Sequence, residues 1–259
     1  MKNMYQLHNI RMSYNGTPVL KGVSLRVGKG AMLSFVGPNG AGKSTILKLM
    51  AGLIKPDSGK ILFSGKDIAH LPSKELARKV GYLPQVNQPV FPYNCFDYVM
   101  IGRTPFLKGL MLGGDYDREI VRKAMEETDC IRFSDKDINK ISVGERQCVF
   151  IARALAAEPD VLLLDEPAAA LDLEHSVSLY RLLARLMDRK GITIVVVSHN
   201  LNITSQFADR IVMLDDGEII ADGAPEKVLK EDLLVKVYGS SFQLITNPEM
   251  KRPIIVPRK

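Results

Sequence analysis

Gly37-Pro38-Asn39-Gly40-Ala41-Gly42-Lys43-Ser44-Thr45 fits the spacing G-x-x-x-x-G-K-[ST], the pattern of a loop that cradles phosphates. Glycine has no Cβ to hold an anion away from the backbone. The successive N–H groups of such a loop form an anion nest, and the helix that follows adds the positive end of its dipole. Lys43 is placed to reach the β- and γ-phosphates of a nucleotide, and the Ser44 hydroxyl to ligate Mg2+. The flanks agree. Ala31-Met32-Leu33-Ser34-Phe35-Val36 predicts a buried strand, and Ile46-Leu47-Lys48-Leu49-Met50-Ala51 a helix. Strand, loop and helix in that order are the setting the motif needs, so the chain is expected to bind a nucleotide with Mg2+ and to fold as an α/β protein.

The 259 residues suit one large α/β domain with an inserted subdomain, and 46% hydrophobic content supplies its core. A net charge of +6 allows an anionic partner, but charge alone favours an ordinary, mildly basic globular protein, and no nucleic-acid partner is expected. Cys95, Cys130 and Cys148 are odd in number and form no C-x-x-C pair, which predicts reduced structural thiols in a reducing compartment. The first residues do not resemble a signal peptide. The longest apolar runs, such as residues 192–197, are far too short to span a bilayer. The expectation is a soluble chain, or one held at a membrane by a partner.

Residues 1–30 predict antiparallel strands, with Asn15-Gly16 as a hairpin turn. Short strands are expected at 60–63 and 80–83. After Gln85 the strand signal fades. Residues 96–101 and 118–128 look helical, with Ile120, Val121, Ala124, Met125 and Thr128 on one face. Ser142-x-x-Glu145 has capping-box spacing and opens a further helix. Residues 161–164 and 192–197 predict buried strands. An amphipathic helix carrying Leu179, Leu182, Leu183 and Leu186 lies between them and ends at Gly191. Asp216-Gly217 marks a second hairpin.

Leu162-Leu163-Leu164-Asp165-Glu166-Pro167 puts two acids at the end of an apolar strand. Downstream of a phosphate-binding loop, Asp165 suits a Mg2+ ligand and Glu166 a general base for an attacking water. Further elements follow the order of a known family. Ser142-Val143-Gly144-Glu145-Arg146-Gln147 resembles the signature of ABC transporter ATP-binding subunits, and the likeness extends over residues 4–240. Gln85 resembles that family's Q-loop glutamine, Ala170-Leu171-Asp172 its D-loop, His199 its switch histidine and Tyr14 the aromatic that stacks on adenine.

The resemblance implies a P-loop NTPase (RecA-like) core with an N-terminal antiparallel β subdomain and an inserted α-helical subdomain. Residues 1–85 and 158–240 would form the core, 86–157 the helical piece with the signature, and 241–259 a tail. Catalysis would fall to Glu166, His199, Gln85 and Lys43, and Mg2+ to Ser44, Gln85 and Asp165. Ser142, Val143, Gly144 and Glu145 would meet ATP bound by a second subunit. Val143 departs from the family's usual glycine. A β-branched side chain there resists positive φ and crowds a phosphate, which predicts slower hydrolysis.

Val99-x-x-Gly102-Arg103-x-Pro105, the stretch from Asp117-Arg118 to Ala124, and Arg252-Pro253-Ile254-Ile255-Val256-Pro257 resemble the iron-siderophore, haem and cobalamin importers, and molybdate importers of the same build share them. That likeness implies a homodimer of ATPase subunits at the cytoplasmic face of a prokaryotic membrane, bound to permease subunits and served by an external substrate-binding protein. Phe91, Tyr93 and Phe96 are candidates to line a groove for the permease. A soluble ABC ATPase without a permease, or a slowly hydrolysing nucleotide-dependent regulator, is the alternative.

Overall fold

The computed structural model describes residues 3–85, 92–107, 113–239, 242–249 and 251–258. Its first elements are β1 (Asn3–Tyr14), β2 (Thr17–Gly28), β3 (Met32–Val36), α1 (Lys43–Met50), β4 (Ser58–Phe63) and β5 (Lys66–Asp67). Then come α2 (Ser73–Ala77), β6 (Val80–Leu83), α3 (Cys95–Met100), α4 (Asp115–Glu127), α5 (Val143–Leu155), β7 (Val161–Asp165) and α6 (Leu173–Lys190). The chain finishes with β8 (Thr193–Val197), α7 (Leu201–Phe207), β9 (Arg210–Asp215), β10 (Glu218–Gly223), α8 (Pro225–Val228), α9 (Glu231–Tyr238), β11 (Phe242–Thr246) and β12 (Pro253–Pro257). The contacts separate two units, residues 1–71 with 193–259, and residues 72–192.

In the first unit β1 and β2 form a long antiparallel hairpin. Its turn is Asn15-Gly16, both at positive φ (48° and 80°), as the twist of a two-residue hairpin requires. β4 and β5 extend this sheet in the order β2-β1-β4-β5. β2 runs unbroken through Gly22, where the register with β1 slips by a residue rather than ending. A second set of strands runs β10-β9-β3-β8, with β8 and β9 parallel to β3 and β10 antiparallel to β9. All five residues of β3 and all five of β8 are buried, which is why both read as apolar runs, interrupted only by Ser34 and Thr193.

The tail of this unit is a hairpin of β11 and β12, absent from the sequence reading. It packs on α7. The Asn202 side chain accepts from Ile255 N–H (2.7 Å) and donates to Ile255 C=O (3.1 Å). Ser205 Oγ donates to Pro253 C=O at 2.6 Å, and the Arg252 guanidinium donates to the carbonyls of Ser205 and Ala208. Ile255 thereby joins Val36, Ala208, Met213 and Leu234 in one apolar cluster.

In the second unit β6 and β7 pair in parallel, and α3 packs on α4 and α5. Val121, Ala124, Met125 and Thr128 are buried, as the helical spacing predicts, while Ile120 sits at the edge. Arg103 is 2% exposed. Its guanidinium donates to Asp117 (2.8 Å), Ala156 C=O (2.8 Å) and Glu158 (2.9 Å), and it stacks 3.9 Å from the centre of the Phe106 ring. A Cβ on Gly102 would lie 2.1 Å from Arg153 C=O, so the neighbour of Arg103 has to be glycine. The stretch containing Val99, Gly102, Arg103 and Asp117 is thus a packing device for the helical elements.

Cys95 and Cys130 are buried, Cys148 is partly so, and all three are free thiols. Burial pushes them up to about 11, 12 and 11 respectively, which suits inert packing groups.

Candidate active site

In the first unit the parallel strands β3 and β8 end side by side, with Phe35 paired to Val197, so the loops leaving them share one edge. Ligands of open α/β sheets bind at such carboxyl edges. The loop leaving β3 carries residues 37–45. Gly37 has φ 138°, and a Cβ there would fall 2.0 Å from Leu214 C=O. Gly42 has φ 95°, and a Cβ there would fall 2.5 Å from Leu20 Cδ2 and 2.9 Å from Val19 C=O. The loop is therefore held close by its own surroundings, and glycine is a steric need at both ends.

Lys43 is 5% exposed, and its Nζ folds back over the loop to donate to Gly37 C=O (2.9 Å) and Pro38 C=O (2.7 Å). No side chain caps Gly42 at the head of α1. A buried ammonium and an uncapped helix start together fit a polyphosphate. Ser44 and Thr45 stand in the first turn of α1, and Asn39 and Gly40 are exposed at the tip of the loop.

His199 follows β8 and is exposed. Its position is set from both sides. Ser198 N–H donates to Phe35 C=O (3.1 Å), and the Asn200 side chain caps α7 by accepting from Ile203 N–H (3.0 Å). Tyr14 ends β1 with 41% exposure, an available ring face. Tyr238, at the end of α9, was not anticipated. Its hydroxyl is hydrogen-bonded to the Gly37 backbone, and burial pushes it up to about 12 against that bond. Nothing in the local sequence of α9 signals this contact, because the hairpin tail and α9 must fold back to make it.

In the second unit β6 and β7 also end together, with Leu83 paired to Leu164. Asp165 is 3% exposed. Its charge adds to burial in pushing the Tyr82 hydroxyl up to about 12. Glu166 turns the chain at φ 50°, a left-handed conformation rare for a side chain of this size. The turn aims its carboxylate at the end of β6, where Gln85 Nε2 donates to Glu166 Oε2 at 2.9 Å. Gln85, Val143, Arg146, Gln147 and Glu166 line one cavity of about 260 Å3. Within this unit the Asp165 carboxylate and the Gln85 side-chain carbonyl are hard oxygen donors of the kind that suits Mg2+.

The signature residues head α5. Ser142 Oγ accepts from Glu145 N–H (3.3 Å), and Ser142 N–H donates to Glu145 Oε2 (2.8 Å), the expected capping box. These bonds hold the Glu145 carboxyl below its ordinary range. Val143 opens α5 with helical backbone and half its surface exposed, and it is not among the residues at positive φ. The expectation of backbone strain at Val143 is therefore corrected: the side chain points out of the first turn, where a β-branched residue meets no conformational penalty. Asp172 caps α6 through His175 N–H (2.8 Å). That bond and the His175 ring hold its carboxyl below the ordinary range.

Phe96 lies 5.1 Å beneath the Arg118 guanidinium and shares a cavity with Asn94, Asp97 and Arg122. Tyr93 is 39% exposed. Phe91 lies outside the described residues. Among the described residues no cluster of His, Cys, Asp or Glu could hold a metal by itself, and no helix is long and apolar enough to cross a membrane.

The family model described as ABC transporter matches residues 20–169. The chain is 38% identical to the petrobactin import ATP-binding protein YclP of Bacillus subtilis (strain 168), covering 94% of this chain and 96% of that one. It is 37% identical to the hemin import ATP-binding protein HmuV of Rhodococcus jostii (strain RHA1), covering 96% and 85%. Its fold matches the dimeric structure of MJ0796, a bacterial ABC transporter cassette, with a TM-score of 0.74 and 31% identity over 85% of this chain and 98% of that one.

Proposed function

The chain belongs to the ABC transporter family and is an ATPase, and from that premise we propose that it powers uptake of an iron chelate, of siderophore or haem type, through a separate membrane permease. The relatives' printed substrates, petrobactin and hemin, support the class of cargo. Cobalamin belongs to the same class by resemblance. Residues 37–45 would wrap the phosphates of ATP through their backbone N–H groups, and Lys43 would leave the loop carbonyls for the β- and γ-phosphates. Tyr14 would stack on the adenine.

Ser44, Gln85 and Asp165 would hold Mg2+, which when bound neutralises charge on the transferring phosphoryl group. Glu166 would take the proton of the attacking water, and His199 would donate to the γ-phosphate. In a homodimer, Ser142, Val143, Gly144 and Glu145 of one copy would meet the ATP held by the other, with the free N–H groups of α5 facing the γ-phosphate. Asp172 would stand at the same junction. The dimeric cassette of similar fold supports this arrangement. The chain would then sit at the cytoplasmic face of the membrane, held there by its permease, with an external binding protein delivering the chelate.

The observation that carries the catalytic reading is the Gln85–Glu166 hydrogen bond at the paired ends of β6 and β7. It supports a reading in which the orientation of the candidate base responds to the residue that precedes the helical elements. Capture of the Glu166→Gln chain from native membranes with ATP tests the whole. Co-purification of a polytopic permease, followed by chelate-stimulated ATP hydrolysis in reconstituted vesicles, is the expected result. Recovery with soluble proteins alone would overturn the transport reading.

A further inference from the structure

Asp172 and the signature turn are separated in sequence by the length of α5 and by β7, yet one side chain lies against both. A single oxygen of Asp172 accepts from His175 N–H at 2.8 Å and lies 2.7 Å from His175 Nδ1. An ionised carboxylate cannot donate, so Nδ1 carries the proton and Nε2 is the atom left to titrate. The same ring occupies the space beside Gly144. A Cβ on Gly144 would lie 2.6 Å from His175 Cδ2, 3.2 Å from Cγ and 3.3 Å from Nε2. Ser142, Gly144, Glu145 and His175 all border one cavity of about 420 Å3.

We propose that His175 is a positioning residue of the ATPase cycle, which fixes the signature turn at Gly144 relative to the capping carboxylate of Asp172. The proposal rests on the reading above in which residues 142–145 meet the nucleotide of a second copy. Glycine at 144 is required for the ring to lie where it does, and the ring in turn blocks the signature turn from moving toward α6. The turn that would contact the phosphate and the loop ending at Asp172 therefore move together.

The contact also senses protons. Asp172 and Glu174 face the ring from its own helix and cap, and Glu145 faces it from α5. Asp129, Arg132, Arg181 and Arg185 line the same cavity. The Asp172 hydrogen bond, and then its charge, hold the His175 imidazole above its ordinary range. A raised histidine pKa means that the charged contact is complete below the ordinary histidine value and is lost as pH rises through the raised one.

The test is steady-state ATP hydrolysis by the full chain from pH 5.5 to 9, with the parent compared with His175→Asn, His175→Phe and, as a control on the underlying reading, Ser142→Ala. Thermal melting verifies that each variant is folded. Asn keeps a donor near the Nδ1 position, and Phe keeps the ring without a donor. The parent should show a fall in kcat with an inflection above the ordinary histidine pKa. His175→Asn should keep kcat within about threefold and lose that inflection, while His175→Phe should lose about tenfold in kcat with KM for ATP unchanged. Parent-like kcat and pH profile in both His175 variants, with Ser142→Ala inactive, would overturn this inference and leave the signature reading standing. Full activity of Ser142→Ala would overturn both.

Discussion

Gln85 Nε2 donates to Glu166 Oε2 at 2.9 Å, so the side chain that follows β6 holds the carboxylate that follows β7. Glu166 pays for this with a left-handed backbone, φ 50°, at its own position. Removing the base while keeping its shape separates chemistry from geometry. Glu166→Gln should lower kcat by about 10²–10⁴ and leave ATP binding intact, so that ATP accumulates on a stable dimer. Turnover assays paired with size-exclusion chromatography in ATP measure both halves. Unchanged turnover would remove Glu166 from the role of base.

Val143 is the departure from the family signature, and its helical backbone removes one ground for a slow enzyme, backbone strain, leaving crowding of the phosphate to be tested. Val143→Gly should leave kcat within about twofold, and should cost up to ~0.5 kcal/mol of helix stability, since glycine is the poorer helix residue. Steady-state rates and urea melts of the two chains decide it. A several-fold faster glycine variant would restore steric crowding of the phosphate as the limit.

Gly37 tolerates no side chain, because its Cβ would meet Leu214 C=O at 2.0 Å. A backbone carbonyl in β9 cannot swing aside as a side-chain tip can. Gly37→Ala should cost ~2 kcal/mol or more through the strained φ and the displaced strand, and weaken ATP binding by at least about tenfold. Fluorescent nucleotide titration and thermal melting would register both losses. Parent affinity in a folded Gly37→Ala chain would mean that the loop yields without cost.

Asn202 holds β12 through both backbone groups of Ile255. Asn202→Ala leaves that N–H and C=O without their partner and should destabilise the protein by ~1–3 kcal/mol. Because α7 begins just after His199, the same variant should raise proteolytic sensitivity near residue 200 before global unfolding. Limited proteolysis with mass spectrometry reads out the site of first cleavage.

The phosphate loop, both hairpin turns, the capping box and the buried strands were legible because each follows from local chemistry. Asn15-Gly16 and Asp216-Gly217 take positive φ, and Ser142 and Glu145 sit three residues apart on one helix turn. The tail hairpin was not legible, since β11 and β12 are stabilised by α7 and by an apolar cluster drawn from distant segments. Tyr238 and His175 were missed for the same reason. A tyrosine at a helix end and a histidine in a first turn are ordinary until the fold brings Gly37 and Gly144 against them. Strain at Val143 was expected from the glycine usual at that position, although the capping box at Ser142 already put Val143 in the first turn of a helix, where φ is negative.

The buried Arg103 has a consequence for how displacement passes through the second unit. Its three hydrogen-bond partners come from α4 and from the two residues on either side of Ala157, and the neighbouring Tyr98 and Phe150 rings lock α3 to α5 at 5.4 Å. Helices fastened at that many points do not shear past one another. A push on half-buried Phe96, near the start of α3, is therefore expected to turn α3 and α5 together as a stiff lever rather than to be absorbed as local deformation along the way.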